Sequence, residues 1–170
     1  MGVGKHAEIE RKYLIRYPDP AMLMARPGAQ RWEIVQTYLT AQPDRTRRIR
    51  QVVCNQTVRY YLTTKRRLSD LTALEDEREI PQAEYIALSK EADPGRRSVV
   101  KTRCRVPWRE HVLEFDLYPF WNDRAILEIE LASEDEQPEI PDYVSVIRDV
   151  SGDMAYKNSQ LAVSVPMERI

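Results

Sequence analysis

The sequence predicts a mainly β protein: eight short strands in a barrel or a sandwich, with a few short helices at the periphery. Three observations carry that prediction. Eight segments of similar length alternate apolar and polar side chains with the period of two that a half-buried strand requires. Between them, only short stretches read as helix. The chain has 170 residues, 42% of them hydrophobic, which suits one core, so a single domain over 1–170 is expected.

The elements follow in order. A strand over 7–16 ends at Pro18-Asp19-Pro20. A helix over 20–26 stops before Pro27-Gly28, because proline disfavours helical backbone in the residue before it. Strands over 33–40, 45–53, 57–66 and 74–80 come next. Pro81 suits the first turn of a helix reaching about Glu91, since the N–H it lacks would go unbonded there. Asp93-Pro94-Gly95 ends that piece, and strands over 97–105, 110–117 and 125–131 complete the set. The acid- and proline-rich stretch 133–142 reads as a solvated loop, and the chain from about Val150 ends in a polar tail.

What alternates is informative. Residues two apart on a strand share a face. Glu8, Glu10 and Lys12 share one face of the first strand. Later strands repeat the device with Arg48 and Arg50, Thr63 and Lys65, Glu77 and Glu79, Lys101 and Arg103, Glu114 and Asp116, and Glu128 and Glu130. The opposite faces are apolar, as in Leu113/Phe115/Leu117 and Leu127/Ile129/Leu131. For any one strand the ordinary reading is a wet outer face. Like-charged pairs repel along their own strand, however, and need opposing charge nearby. Ladders of acid beside ladders of base supply it if all face a common interior. A dry interior is excluded, because each unpaired buried ion costs several kcal/mol against a total stability of ~5–15 kcal/mol. A water-filled, charge-lined bore remains, and an eight-stranded barrel is about wide enough for one small ligand.

Composition narrows the function. Lys+Arg is 26 and Asp+Glu 27, a net charge of -1, so no chain-wide grip on nucleic acid is expected. Cys54 and Cys104 form no CxxC pair, which argues against a disulfide scaffold or a thiolate zinc site and for a reducing compartment. The N-terminus lacks a signal-peptide pattern, and no run approaches the ~20 apolar residues of a membrane span. A cytoplasmic protein without membrane partners, monomer or homodimer, is expected. Within the bore, Arg and Lys at strand spacing suit a chain of phosphates. Carboxylates repel phosphate unless a hard cation bridges them, and oxygen-only ligands favour Mg²⁺ or Mn²⁺.

These residues resemble a known family. Glu8-Ile9-Glu10-Arg11-Lys12 resembles the N-terminal ExExK signature of the CYTH family, the triphosphate tunnel metalloenzymes. Gln36-Thr37-Tyr38-Leu39 is similar to its QGYL segment, Arg48-Ile49-Arg50 to its RxR, and Thr63-Thr64-Lys65 to its basic fourth strand. The acidic and basic pairs follow in the family's order, and Ser151-Gly152-Asp153 with Tyr156-Lys157-Asn158 resembles its TGDxRYxN element. Two departures stand out: Thr37 replaces glycine, and Met154-Ala155 lacks the basic residue before Tyr156.

The resemblance implies an eight-stranded antiparallel closed barrel, a tunnel in which a triphosphate is hydrolysed or rearranged with Mg²⁺ or Mn²⁺. Glu8, Glu10, Glu128 and Glu130 would hold metal, and Arg48, Arg50, Lys65, Lys101 and Arg103 would bind phosphates. Lys12 would orient or activate the attacking water. Glu77, Glu79, Glu114 and Asp116 would complete the lining. Hydrolysis of inorganic tripolyphosphate to diphosphate and phosphate is the leading expectation. The alternatives are a thiamine triphosphatase or nucleoside triphosphatase, a class IV adenylyl cyclase, and a non-catalytic polyphosphate-binding module.

Overall fold

The computed structural model describes residues 5–170; residues 1–4, part of the N-terminus read above for targeting signals, lie outside the described residues. Eight strands close into a barrel: β1 (Lys5–Arg16), β2 (Gln30–Leu39), β3 (Thr46–Cys54), β4 (Thr57–Arg67), β5 (Thr72–Ile80), β6 (Val99–Trp108), β7 (His111–Leu117) and β8 (Arg124–Glu130). Round the wall the order is β1, β5, β4, β3, β2, β6, β7, β8 and back to β1, with every neighbour antiparallel. The β3–β4 hairpin turns on Asn55 and Gln56, both at positive φ, as a two-residue hairpin with right-handed strand twist demands.

The sequence reading missed a ninth strand, β9 (Val146–Asp149). It is only four residues long and shows no apolar alternation. It forms because β1 outruns β5 along one edge. β5 pairs with β1 from Lys5 to Ile9, and β9 takes over from Tyr13 to Ile15. Between them the Lys12 N–H donates to Ser151 Oγ at 2.9 Å, so the exposed stretch of edge is satisfied. β4 also runs on to Arg67, one residue beyond the expected 57–66.

The helices are short and peripheral, as expected. α1 (Pro20–Met24) is capped by Asp19, whose side chain accepts from the Ala21 N–H at 3.0 Å, with Pro20 in the first turn. It packs Leu23 onto the outer face of β6, β7 and β8, joined by Ile140, Tyr143 and Val144. That cover explains why β8 is buried on both faces until Glu130. α2 (Gln82–Ser89) shields Leu39, Ile49 and Ile80 on the other side of the wall through Tyr85 and Leu88. Along most of the wall the aliphatic residues therefore look outward into two covered patches, and the charged ladders look inward.

A third apolar cluster continues the interior faces at one end of the barrel. Leu14, Tyr38, Val99 and Ile126 lie beyond Lys12, Gln36, Lys101 and Glu128 on the same strand faces, and pack with Tyr118, Trp121, Val150 and Tyr156. Tyr156 belongs to a single 3-10 turn (Met154–Tyr156), which leads into α3 (Asn158–Leu161). The last residues fasten this turn: Trp121 Nε1 donates to the Pro166 carbonyl at 2.9 Å, and the Tyr156 hydroxyl bonds the Glu168 carboxylate. No helix of the described residues is long and apolar enough to cross a membrane.

Candidate functional site

The interior holds a cavity of about 620 Å³. Its lining includes Glu8, Glu10 and Lys12 from β1, Arg48 and Arg50 from β3, and Lys65 from β4. Glu77 from β5, Lys101 and Arg103 from β6, Glu114 from β7, and Glu128 and Glu130 from β8 complete this set. Twelve residues singled out from the sequence thus meet in one space, brought there by seven strands. Two others stand apart. Asp116 lies fully buried beneath the lining. Glu79 is exposed at the far end of β5 beside Arg59, outside the cavity wall.

Interior charges are paired across strands. Arg103 grips Asp116 with two parallel hydrogen bonds of 2.7 and 2.9 Å, and reaches Glu128 at 3.1 Å and Glu114 at 3.3 Å. Lys101 Nζ sits 2.8 Å from Asp116. Burial, with Arg103 alongside, lowers the Lys101 pKa to about 8. Although burial favours neutral forms, Arg103 holds Asp116 below the ordinary range, and Lys12 and Arg103 hold Glu128 well below it. Lys65 bridges Glu8 at 3.1 Å and Glu75 at 3.3 Å; Arg50 reaches Glu77 at 3.2 Å. Lys12 lies 3.2 Å from Glu128. Burial opposes its charge, but Glu128 and Glu10 outweigh that and raise its pKa.

The acids at the β1–β8 seam are different. Glu10 and Glu130 are direct cross-strand partners, and neither makes an ion pair or side-chain hydrogen bond among the described residues. Burial, then the charges of Glu128 and Glu8, raise the Glu10 carboxyl to about 7. Burial and the charges of Glu8, Glu114 and Glu10 push Glu130 up as well. Neither carboxylate is bridged by a cation among the described residues, although Lys65 and Lys12 offset part of the charge on Glu10, and both offer hard oxygen donors of the kind that suit Mg²⁺ or Mn²⁺. Among the described residues no three Asp, Glu, His or Cys side chains already form a metal cage. Glu8 and Glu128 are turned toward their lysine and arginine partners.

Sequence reasoning assigned no role to Glu75, Arg67, Arg105 or Lys157, although Lys157 stands within the C-terminal motif quoted above. Glu75 lines the cavity and is buried; the alternation Glu75, Glu77, Glu79 marks it by the same period of two. Arg105 continues the Lys101, Arg103 ladder and donates to Glu114 at 3.0 Å while covering the Trp32 ring at 4.5 Å. Arg67 and Lys157 line the cavity from the end of β4 and the C-terminal segment, where no strand period exists to reveal Lys157. Thr37, one departure from the family pattern, faces away from the bore and shares a 2.8 Å hydrogen bond with Ser98. Of the three tryptophans, Trp121 packs in the end cluster, Trp108 against the outer core, and Trp32 in the cavity wall.

No family model matches the sequence, and no curated protein matches it. Solved structures do match. The chain is similar to the inorganic triphosphatase NE1496: its crystal structure shares 27% identity and a TM-score of 0.57, over 94% of this chain and 96% of that one. The PH1819 protein of Pyrococcus horikoshii OT3 shares the fold at 22% identity and a TM-score of 0.57, over 75% of this chain and 80% of that one. A conserved hypothetical protein of Pyrococcus furiosus does so at 21% identity and a TM-score of 0.58, with the same coverage.

Proposed function

We propose that this protein is a triphosphate tunnel metalloenzyme of the CYTH family that hydrolyses inorganic tripolyphosphate to diphosphate and phosphate. One observation carries the reading: acids and bases from seven strands line a single cavity. Whole-length similarity to an inorganic triphosphatase supports it.

The basic wall supplies the anion site. Arg48 and Arg50 on β3, with Lys65 on the adjacent β4, present guanidinium and ammonium donors along the phosphate chain. Lys101 and Arg103 extend that wall, held in place by Asp116. Glu8, Glu10, Glu128 and Glu130 would hold Mg²⁺ or Mn²⁺, with Glu8 and Glu128 exchanging their lysine and arginine partners for the ion. The ion's chemistry there is charge neutralisation of phosphoryl oxygens. Lys12, fixed between Glu128 and the Tyr156 carbonyl at 3.2 and 3.5 Å, would orient the attacking water. Glu77 and Glu114 hold the phosphate-binding arginines in register.

Phosphate release from tripolyphosphate, ATP and thiamine triphosphate, each with Mg²⁺ and with Mn²⁺, tests the reading. Tripolyphosphate turnover that needs the ion and is abolished in Glu10→Gln is the expected result. Faster release from ATP or thiamine triphosphate would move the substrate assignment. Cyclic AMP formation would replace hydrolysis with cyclisation, and tight binding without turnover would leave a polyphosphate-binding module.

A further inference from the structure

We infer that Glu168, which lies outside the cavity wall, is a positioning residue for Lys12. The inference rests on the proposed role of Lys12 toward the attacking water and adds the device that fixes its ammonium group. Segment 150–156 holds Lys12 at both ends. On the main chain, the Lys12 N–H donates to Ser151 Oγ at 2.9 Å, and the Lys12 carbonyl accepts from the Val150 N–H at 2.8 Å. At the tip, Nζ donates to the Tyr156 carbonyl at 3.5 Å, beside its 3.2 Å bridge to Glu128. A contact of that length is at the outer limit of a hydrogen bond, so its strength depends closely on where the turn holds the carbonyl.

Tyr156 closes the 3-10 turn Met154–Tyr156, and a single turn of helix does not hold its shape without outside contacts. Before the turn, the Asp153 carboxylate accepts from the Ala155 N–H at 3.0 Å and from Arg148 at 3.2 Å. After it, Asn158 accepts the Tyr118 hydroxyl at 2.6 Å. Tyr156 itself is tied through its side chain. The buried ring lies 5.2 Å from the Arg148 guanidinium and 5.9 Å from the Trp121 ring, and its hydroxyl bonds the Glu168 carboxylate. Glu168 is fixed in turn. Its carboxylate accepts from Arg148 at 2.9 Å, its carbonyl accepts from the buried Arg124 at 2.5 Å, and two residues earlier the Pro166 carbonyl accepts from Trp121. The bonds from Tyr156 and Arg148 hold the Glu168 carboxyl below the usual carboxylate range, so the acceptor is charged at neutral pH. A charged acceptor makes the phenol bond about twice as strong as a neutral one. The relay therefore runs from the Glu168 carboxylate through the Tyr156 side chain and carbonyl to Lys12 Nζ.

Tripolyphosphate hydrolysis and NMR of the lysine ammonium groups, in wild type, Tyr156→Phe, Glu168→Ala and Glu168→Gln, test this. Tyr156→Phe and Glu168→Ala are expected to lower kcat by about threefold to tenfold with KM held within about twofold, because the water loses its orientation while the phosphate contacts stay. Glu168→Gln keeps an acceptor oxygen for the phenol and should restore most of kcat. The double variant Tyr156→Phe/Glu168→Ala should be no slower than the slower single one, as two members of one relay require. The Lys12 ammonium resonance, assigned by its absence in Lys12→Met, should shift in Tyr156→Phe and Glu168→Ala and return in Glu168→Gln. An unchanged kcat and an unmoved Lys12 resonance in Glu168→Ala overturn the inference alone. A fall in melting temperature without either change also overturns it, by leaving Glu168 a structural role. Wild-type protein that turns over no tripolyphosphate under any metal condition removes the proposed function and this inference with it.

Discussion

Glu10 on β1, partly buried, stands directly opposite the more exposed Glu130 on β8, and neither has an ion-paired cation among the described residues. Like charges facing each other across strands destabilise a sheet by about 0.2–1 kcal/mol. Glu10→Gln should therefore raise the melting temperature of the metal-free protein by about 1–4 °C. The same substitution should cut the thermal shift that Mg²⁺ or Mn²⁺ produces in the wild type, since a ligand is lost as the repulsion is relieved. Scanning fluorimetry with EDTA and with each ion reads both effects; an undiminished metal shift in the variant would remove Glu10 from the metal site.

Among the described residues Asp116 is the sole acid bonded to Lys101 and one of three that meet Arg103, and it is completely buried. Replacing it by Asn leaves two buried cations under-compensated. Breaking a buried pair in this way costs about 3–5 kcal/mol. Urea unfolding of Asp116→Asn should show a loss of that size, larger than for a carboxylate at the cavity rim such as Asp44→Asn.

Lys101 makes stability depend on pH in an uncommon direction. Burial lowers its folded pKa to about 8 from the ordinary lysine value of 10.5, so between these values the unfolded chain binds more protons than the folded one. Its contribution to stability consequently rises with pH through that window. Lys101→Met removes the effect. The stability of the wild type relative to this variant should increase from about pH 7.5 to about pH 10 in chemical denaturation, and a decrease would contradict the assignment.

Arg48 and Arg50 are neighbours in the proposed anion site with different partners. Among the described residues Arg48 makes no ion pair, and its Nε has no hydrogen-bond partner, while Arg50 holds Glu77. Both alanine variants should raise KM for tripolyphosphate by about tenfold or more. Only Arg50→Ala should also lose about 1–3 kcal/mol of stability, because it strands a largely buried carboxylate. Parallel kinetics and unfolding curves separate the two effects.

Most of the barrel was legible because one rule, side-chain period two, governs every wall strand. Glu8, Glu10, Lys12, Glu128 and Glu130 all fall on the faces that the alternation assigns. The rule fails where the strand ends or never begins. Glu79 keeps the right parity but lies past the cavity, and parity carries no information about depth along the axis. β9 is too short for a pattern and exists because of an edge left open by β1, a tertiary fact. Lys157 reaches the cavity through helical turns anchored by Tyr156 and Asn158, whose packing no local sequence rule exposes. Asp116 shares its face with Glu114, yet becomes a buried counter-ion because Arg103 closes over it.

The join between β1 and β5 spans five residue pairs, against nine between β3 and β4. Amides there should exchange with solvent earlier than those of the longer hairpin, since local opening follows the least-bonded neighbours. β1 is also the strand that bears Glu8, Glu10 and Lys12, so any breathing of the wall at this suture would change the bore's girth where its chemistry is concentrated.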